Sequence, residues 1–352
     1  MNMIDSYFYK LPEKLIANEP AKPRDRSRLL VFNSAEDKII DDVFSNLNFF
    51  LKKGDLLVLN DSKVFPARIF GSKETGGKIE VLLLEDCGDS WLAMVGGKTK
   101  LGDKVLFQQN LEGEIVEKNG KLAKITFNQR GADFWQTIEE IGKTPIPPYI
   151  KNTKLSERKL RNEYQTVYSN NYGSAAAPTA GLHFSKKQIG ELLDHGVAVK
   201  YINLNIGLGT FAPLTPENLL TKKLHSEKFQ IPSSTIRKII QTKKEGGRVI
   251  AVGTTTVRTL ESAAKTIIKN EDKITNIAGS TEIFVQPGFK FKIVDSLITN
   301  FHLPSSSLMM LVAALIQDKG INDGREKLLE IYKYAINKKY RFYSFGDAML
   351  IL

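Results

Sequence analysis

The chain changes its repeat at Thr144-Pro145-Ile146-Pro147-Pro148-Tyr149, and that change limits the folds open to it. Before this stretch the signals are short, β-type and punctuated by glycine. After it, helical and strand patterns alternate. No all-α or all-β architecture satisfies both halves. Proline fixes φ and removes an N–H, so the stretch itself reads as a linker.

Upstream, Leu56-Leu57-Val58-Leu59-Asn60-Asp61 reads as a first strand. Gly76-Gly77, Gly96-Gly97 and Gly102 then mark turns between short apolar runs. Asn119-Gly120, between alternating runs at 114–117 and 123–127, predicts a hairpin whose two central residues both have positive φ. These signals predict a small barrel or sandwich over roughly 62–141.

Downstream, Ser185 predicts a helix start, with Gln188 as its capping-box partner. Gly196 ends that helix after His195. A buried strand follows at 197–204. Thr215-Pro216-Glu217 starts a helix, Ser234 opens one over 236–244, and 249–252 is a strand followed by a helix from Thr254 to 265. Pro304-Ser305 opens an apolar helix through 316, and 322–338 is the last. The expected fold is an α/β main domain, discontinuous over 1–61 and 150–352, with an inserted small antiparallel β-barrel domain over 62–149.

Composition narrows the function classes. Hydrophobic residues are 42% and charged residues 25% of 352, which suits a globular core rather than disorder. One cysteine, Cys87, excludes an intramolecular disulfide and a cysteine-based zinc site. The spacing of His183, His195, His225 and His302 matches no metal site, so none is expected. No apolar run is long enough to span a bilayer, and the N-terminus lacks signal-peptide order, so a cytoplasmic protein is expected. Lys and Arg number 50 against 39 Asp and Glu. Residues 151–352 hold 29 bases and 17 acids, so the whole excess lies there. Such a field attracts polyanions, although it also suits a solvated surface. Its densest cluster is Lys151, Lys154, Arg158, Lys159 and Arg161, near Tyr149, Tyr164, Tyr168 and Tyr172. Cations supply phosphate contacts and rings offer stacking faces. An exposed helix with core tyrosines is the plainer alternative.

The common nucleotide fingerprints are missing. There is no P-loop, and Gly207-Leu208-Gly209 is a weak dinucleotide signal, better read as a tight turn or a close backbone approach. Thr254-Thr255-Thr256-Val257-Arg258 follows a strand and a glycine, which places hydroxyls and free amides at a helix N-terminus. That setting suits a carboxylate or phosphate, and Arg258 could add a bidentate contact. A simple threonine cap with a surface arginine explains it equally well. His195 falls at a helix C-terminus and reads as structural. His183, His225 and His302 lie in polar, loop-like motifs with Thr179, Gly181, Glu227 and Asn300, where imidazole chemistry is useful near neutral pH.

Taken together, these blocks resemble the S-adenosylmethionine:tRNA ribosyltransferase-isomerase family of queuosine biosynthesis. The resemblance runs over nearly the whole chain, most strongly at 176–184, 207–211, 225–227, 252–262, 298–311 and 340–351. It implies that the ribosyl part of S-adenosylmethionine, a co-substrate rather than a cofactor, moves to 7-aminomethyl-7-deazaguanine at the tRNA wobble position. Adenine and methionine leave and epoxyqueuosine forms. A base removes a hydrogen beside the sulfonium, the ylide expels adenine, and the neutral amine attacks the sugar fragment. His183, Glu227 and His302 are the proton-transfer candidates, with His225 orienting Glu227. Thr254, Thr255 and Arg258 are expected to hold the methionine carboxylate. Phe184, Phe211 and Phe301 offer faces to the sulfonium. Thr179, Gly181, Gly207, Gly209 and Asn300 complete the substrate site, and the basic cluster would grip tRNA. A monomer is expected. Asn205 stands where many members have His, so it carries no catalytic expectation. The alternatives are an S-adenosylmethionine-dependent RNA methyltransferase, which would usually show an early Gly-rich turn, and a non-catalytic RNA-binding module.

Overall fold

A computed structural model gives the structure of residues 3–207, 214–269 and 274–352. Strand-forming runs of Leu, Ile and Val fill one mixed sheet of nine strands. Its order is Ile277–Ile283, Lys223–Ile231, Ala198–Leu204, Leu56–Asn60, Val249–Val252, Ser296–Asn300, Ala348–Ile351, Arg28–Asn33 and Lys38–Val43. The four strands from Ala198–Leu204 to Ser296–Asn300 are mutually parallel. Both faces of these strands are covered, which explains their unbroken apolar sequences.

Side chains alternate across the sheet with the period of a strand. Leu56, Val58, Val249, Ala251 and Leu297 pack under the helices Ser233–Lys244, Thr254–Lys269, Ser307–Asp318 and Gly324–Asn337. Leu57, Leu59, Ile250, Val252 and Ile298 face the other way, onto Phe44, Phe184 and Leu192. The result is a three-layer α/β unit. No helix among the described residues is long and apolar enough to cross a membrane.

Between Leu56–Asn60 and Ala198–Leu204 the chain builds a closed six-stranded antiparallel barrel. Its strands are Arg68–Lys73, Lys78–Asp86, Trp91–Gly96, Lys104–Leu106, Glu112–Asn119 and Leu122–Phe127. The helix Gly131–Ile141 packs Phe134 and Ile138 onto its core, where Trp91 and Phe134 stack at 5.5 Å. The expected fold class is thus the observed one.

Local expectations differ in detail. The hairpin turn sits one residue later than the Asn-Gly pattern implies. Asn119 pairs with Leu122, so the central residues are Gly120 and Lys121, and only Gly120 has positive φ, at 59°. Ser185 does cap its helix, accepting from Gln188 N at 3.1 Å. Gln188, however, donates to Phe44 O instead of closing a capping box, because it is buried against that segment. The full capping box appears at Thr215 and Asn218. The helix expected from Ser234 starts at Ser233, and the apolar helix starts at Ser307 with Ser306 as its cap.

Candidate functional site

In an open parallel sheet the carboxyl ends of the strands leave unpaired backbone and a crevice for ligands. Here four such ends lie side by side, at Leu204, Asn60, Val252 and Asn300. Asn60 links two of them. Its Nδ2 donates to Leu204 O and its Oδ1 accepts from Leu204 N, both at 3.0 Å, and Nδ2 also reaches Thr255 Oγ1 at 3.5 Å. Gly253, at φ 87°, turns the chain from Val252 into the helix Thr254–Lys269 while donating to Ile298 O at 2.8 Å. Gly253 O accepts from Thr256 N and Val257 N. The amides of Thr254 and Thr255 are left as first-turn donors.

The small-residue segment 175–184 crosses this edge. Ala175 exchanges backbone contact with Ile206, and Ser174 Oγ accepts from Ile206 N at 3.0 Å. The short helix Thr179–His183 then brings Thr179 and His183 to Asn300. Thr179 Oγ1 donates to Asn300 Oδ1 at 2.8 Å. Asn300 Nδ2 faces both Tyr343 O, at 3.2 Å, and His183 Nε2, at 3.1 Å. A carbonyl only accepts, so Asn300 turns its NH₂ to that side and donates to His183 as well. His183 Nε2 is therefore an acceptor, and Nδ1–H donates to Ser27 Oγ at 2.8 Å. Burial pushes the His183 imidazole down to about 4. His302 is likewise pushed by burial to about 3, and its Nε2 meets Thr299 Oγ1 at 2.7 Å.

At rest both imidazoles are neutral in the folded chain above about pH 4, whereas in the unfolded chain they take up protons near 6.5. Between pH 6.5 and about 4 the unfolded state binds more protons, so stability falls as pH falls. The expected slope reaches about 2.7 kcal/mol per pH unit for two histidines. Denaturant midpoints at descending pH would read it, and His302→Gln should halve it. A flat stability profile across that window would contradict the burial of both rings.

Glu227, on Lys223–Ile231, is buried with Arg258 of the helix Thr254–Lys269, and their side chains are 3% and 8% exposed. Arg258 Nη1 donates to Glu227 Oε2, and Gly207 N donates to Oε1 at 3.3 Å. Arg258 Nη2 reaches His225 O and Thr281 O at 3.4 and 3.5 Å. The expected bidentate grip of Arg258 on a carboxylate ligand is thus replaced by an internal pair. His225 meets Arg258 through its carbonyl, and it is Arg258, not His225, that orients Glu227.

Other expectations are also corrected. Phe184 and Phe301 are fully buried, Phe184 edge-on to Phe44 and Phe301 among Tyr332, Tyr340 and Phe342. They are core side chains, not faces for a sulfonium. A Cβ on Gly181 would lie 2.0 Å from the Tyr168 hydroxyl, so that glycine makes room for a tyrosine. Gly209 and Phe211 lie outside the described residues. In the basic cluster, Arg161 is spent on Glu157, Glu139 and the Gly142 carbonyl, tying the helix Glu157–Glu163 to the barrel's helix. Lys151 lies 3.8 Å from Glu13, whereas Lys154, Arg158 and Lys159 are exposed and form no ion pair among the described residues. Of the four tyrosines, Tyr172 alone is exposed, with Lys63 4.2 Å from its ring centre. Asn205 packs against Gly173 with its Oδ1 buried and unpartnered among the described residues.

Sequence reasoning missed Asn60 and Ser27. Asn60 was visible at a strand end, but its amide role needs two strands that are distant in sequence to lie adjacent. The barrel reaches this edge too. Lys228 pairs with Glu85 at 2.9 Å, and a Cβ on Gly207 would lie 4.0 Å from Leu84 O. A cavity of about 900 Å³ lies elsewhere, on the barrel between Phe70, Ile79, Leu106 and Phe107. None of the converging residues lines it. No cluster of metal-ligating side chains occurs among the described residues.

Comparison with known proteins adds an independent finding. The family model described as queuosine biosynthesis protein matches residues 4–351. An S-adenosylmethionine:tRNA ribosyltransferase-isomerase of Thermosipho melanesiensis is 47% identical, over 99% of both chains. The enzyme of that name from Carboxydothermus hydrogenoformans is 45% identical, again over 99% of both. A crystal structure of the S-adenosylmethionine tRNA ribosyltransferase of Thermotoga maritima superposes with a TM-score of 0.55 at 34% identity, covering 99% of this chain and all of that one. The chain belongs to the queuosine biosynthesis protein family.

Proposed function

We infer that this chain is an S-adenosylmethionine:tRNA ribosyltransferase-isomerase, with S-adenosylmethionine as ribosyl donor and tRNA as acceptor. The observation that carries the reading is full-length similarity to enzymes of that name, joined to a polar site at four parallel strand ends. The acceptor is 7-aminomethyl-7-deazaguanine at the wobble position, and the products are epoxyqueuosine-tRNA, adenine and methionine. The enzyme acts as a monomer in the cytoplasm. Residues 1–61 and 150–352 form the catalytic unit and 62–149 the inserted one.

Within the site, the free first-turn amides and hydroxyls of Thr254 and Thr255 hold the methionine carboxylate, in the way helix N-termini receive anions. Thr179, Asn300 and Gly207 border the sugar. His183 holds Asn300 and Ser27 in register and exchanges no proton, since both its nitrogens are engaged. Of the two candidate imidazoles, His302 remains. Among the described residues no hydrogen bond reaches its Nδ1, so the tautomer with Nε2–H on Thr299 leaves a lone pair for the proton beside the sulfonium. Lys154, Arg158 and Lys159 contact tRNA phosphates, with Arg161 supporting their helix.

The test is to incubate the protein with S-adenosylmethionine and tRNA bearing the aminomethyl base. The expected result is free adenine together with a tRNA mass gain. S-adenosylhomocysteine would establish a methyltransferase instead, and neither product a binding module. His302→Gln should slow adenine release by about 10²–10⁴-fold, the usual contribution of a positioned base. An unchanged rate would remove His302 from that step.

A further inference from the structure

We propose that Glu227 is a positioning residue, the buried clamp that fixes Gly207 against the first turns of the helix Thr254–Lys269, and not a proton-transfer group. This rests on the ribosyl-transfer reading of the site.

A side chain that moves protons needs an oxygen facing the substrate. In Glu227 both oxygens are already engaged inside the protein. Oε1 accepts from Gly207 N, Oε2 from Arg258, and the side chain is 3% exposed. Arg258 extends the clamp through His225 O on one strand and Thr281 O on the next. Glu227 pairs across the sheet with Thr281, whose hydroxyl meets Ser262 of the same helix at 2.5 Å. One carboxylate thus joins the helix, the two outer strands and the glycine that follows the Ala198–Leu204 strand.

Gly207 is where such a clamp matters. Glycine has the widest backbone freedom, so its position is set by partners and not by its own sterics. Its amide is held by a charged acceptor, Glu227 Oε1, at 3.3 Å. The residue lies between the sheet edge, through Ile206 and Asn60, and the barrel strand carrying Leu84 and Glu85. Releasing it would change the spacing between the two units at the edge where Thr255 lies, 3.5 Å from Asn60.

The experiment compares wild type, Glu227→Gln, Arg258→Gln and the double variant. Single-turnover adenine release is read against S-adenosylmethionine concentration and against pH. A clamp predicts that each single variant loses about 10–10²-fold in kcat/KM, mainly by raising KM, since displacements near 1 Å cost that much. The double variant should lose no more than the worse single, because both break one device. The pH–rate profile of Glu227→Gln should keep both limbs. Disappearance of a limb, or losses that multiply in the double variant, would overturn the proposal. If either single variant fails to fold, Glu227→Met with Arg258→Met leaves no unpaired buried charge. That protein should show raised KM with intact limbs, and a missing limb there would equally refute the clamp. Wild type that releases no adenine would refute the ribosyl-transfer reading itself, a result distinct from any of these.

Discussion

Asn300→Ala is expected to lower single-turnover adenine release by about 10²-fold and to lower the thermal midpoint together with it. The amide of Asn300 serves three groups at once. It accepts from Thr179, donates to His183, and donates to the Tyr343 carbonyl. All lie at or next to the carboxyl end of the Ser296–Asn300 strand, and Asn300 is itself buried. Truncation leaves each partner without its bond, at a cost of about 1–3 kcal/mol for a buried group that finds no substitute. The short helix Thr179–His183 then loses its hold on the sheet edge, and a displacement near 1 Å is enough for a 10²-fold loss. Asn300→Asp tests the geometry. It keeps the acceptor for Thr179 but removes the donor to His183 and to Tyr343 O. Activity in Asn300→Asp should therefore stay low. Wild-type rates in both variants would separate this network from the reaction.

The second large effect lies at the opposite edge of the sheet. Asp55→Ala should destabilise the fold by about 1–3 kcal/mol for each buried donor it leaves unpaired, while Arg248, 27% exposed, can turn to water. Asp55 precedes Leu56–Asn60 and is fully buried. Its Oδ2 accepts from Arg248 Nη2 at 2.5 Å and from Lys52 N at 2.9 Å, while Oδ1 accepts from Arg248 Nε and N, both at 3.2 Å. The pair joins the starts of two adjacent central strands. Five strand residues separate it from the carboxyl edge, roughly 17 Å at strand rise. Urea unfolding should show the loss, with KM for S-adenosylmethionine unchanged below the transition. A raised KM with unchanged stability would mean that the amino edge takes part in binding, contrary to the geometry.

These predictions rest on different kinds of information. The central strands were legible because both their faces are covered, so Leu56-Leu57-Val58-Leu59 and Val249-Ile250-Ala251-Val252 are apolar without interruption. The barrel was legible from glycine turns and alternating runs. The outer strands Lys223–Ile231 and Ile277–Ile283 were not, since their polar residues carry a weaker period-2 signal. The C-terminal strand Ala348–Ile351 was too short to read alone, and its pairing with Arg28–Asn33 spans almost the entire chain.

At the site, sequence alone determined which chemical groups are present. It supplied hydroxyls at a helix start after Gly253, imidazoles in small-residue loops, and one basic C-terminal part. Tertiary structure decided what each group is free to do. Arg258 and Glu227 are 31 residues apart, and nothing local marks them as partners. Once both are buried, an unpaired charge is too costly, so they neutralise each other, and Arg258 is no longer a free cation for a ligand. In the same way, Phe184 and Phe301 sit beside reactive motifs in the sequence yet turn inward, because the apolar surface of a ring is worth more in a core than in a polar crevice. Residue type follows from the sequence, but availability follows from burial, and burial depends on contacts between segments far apart along the chain.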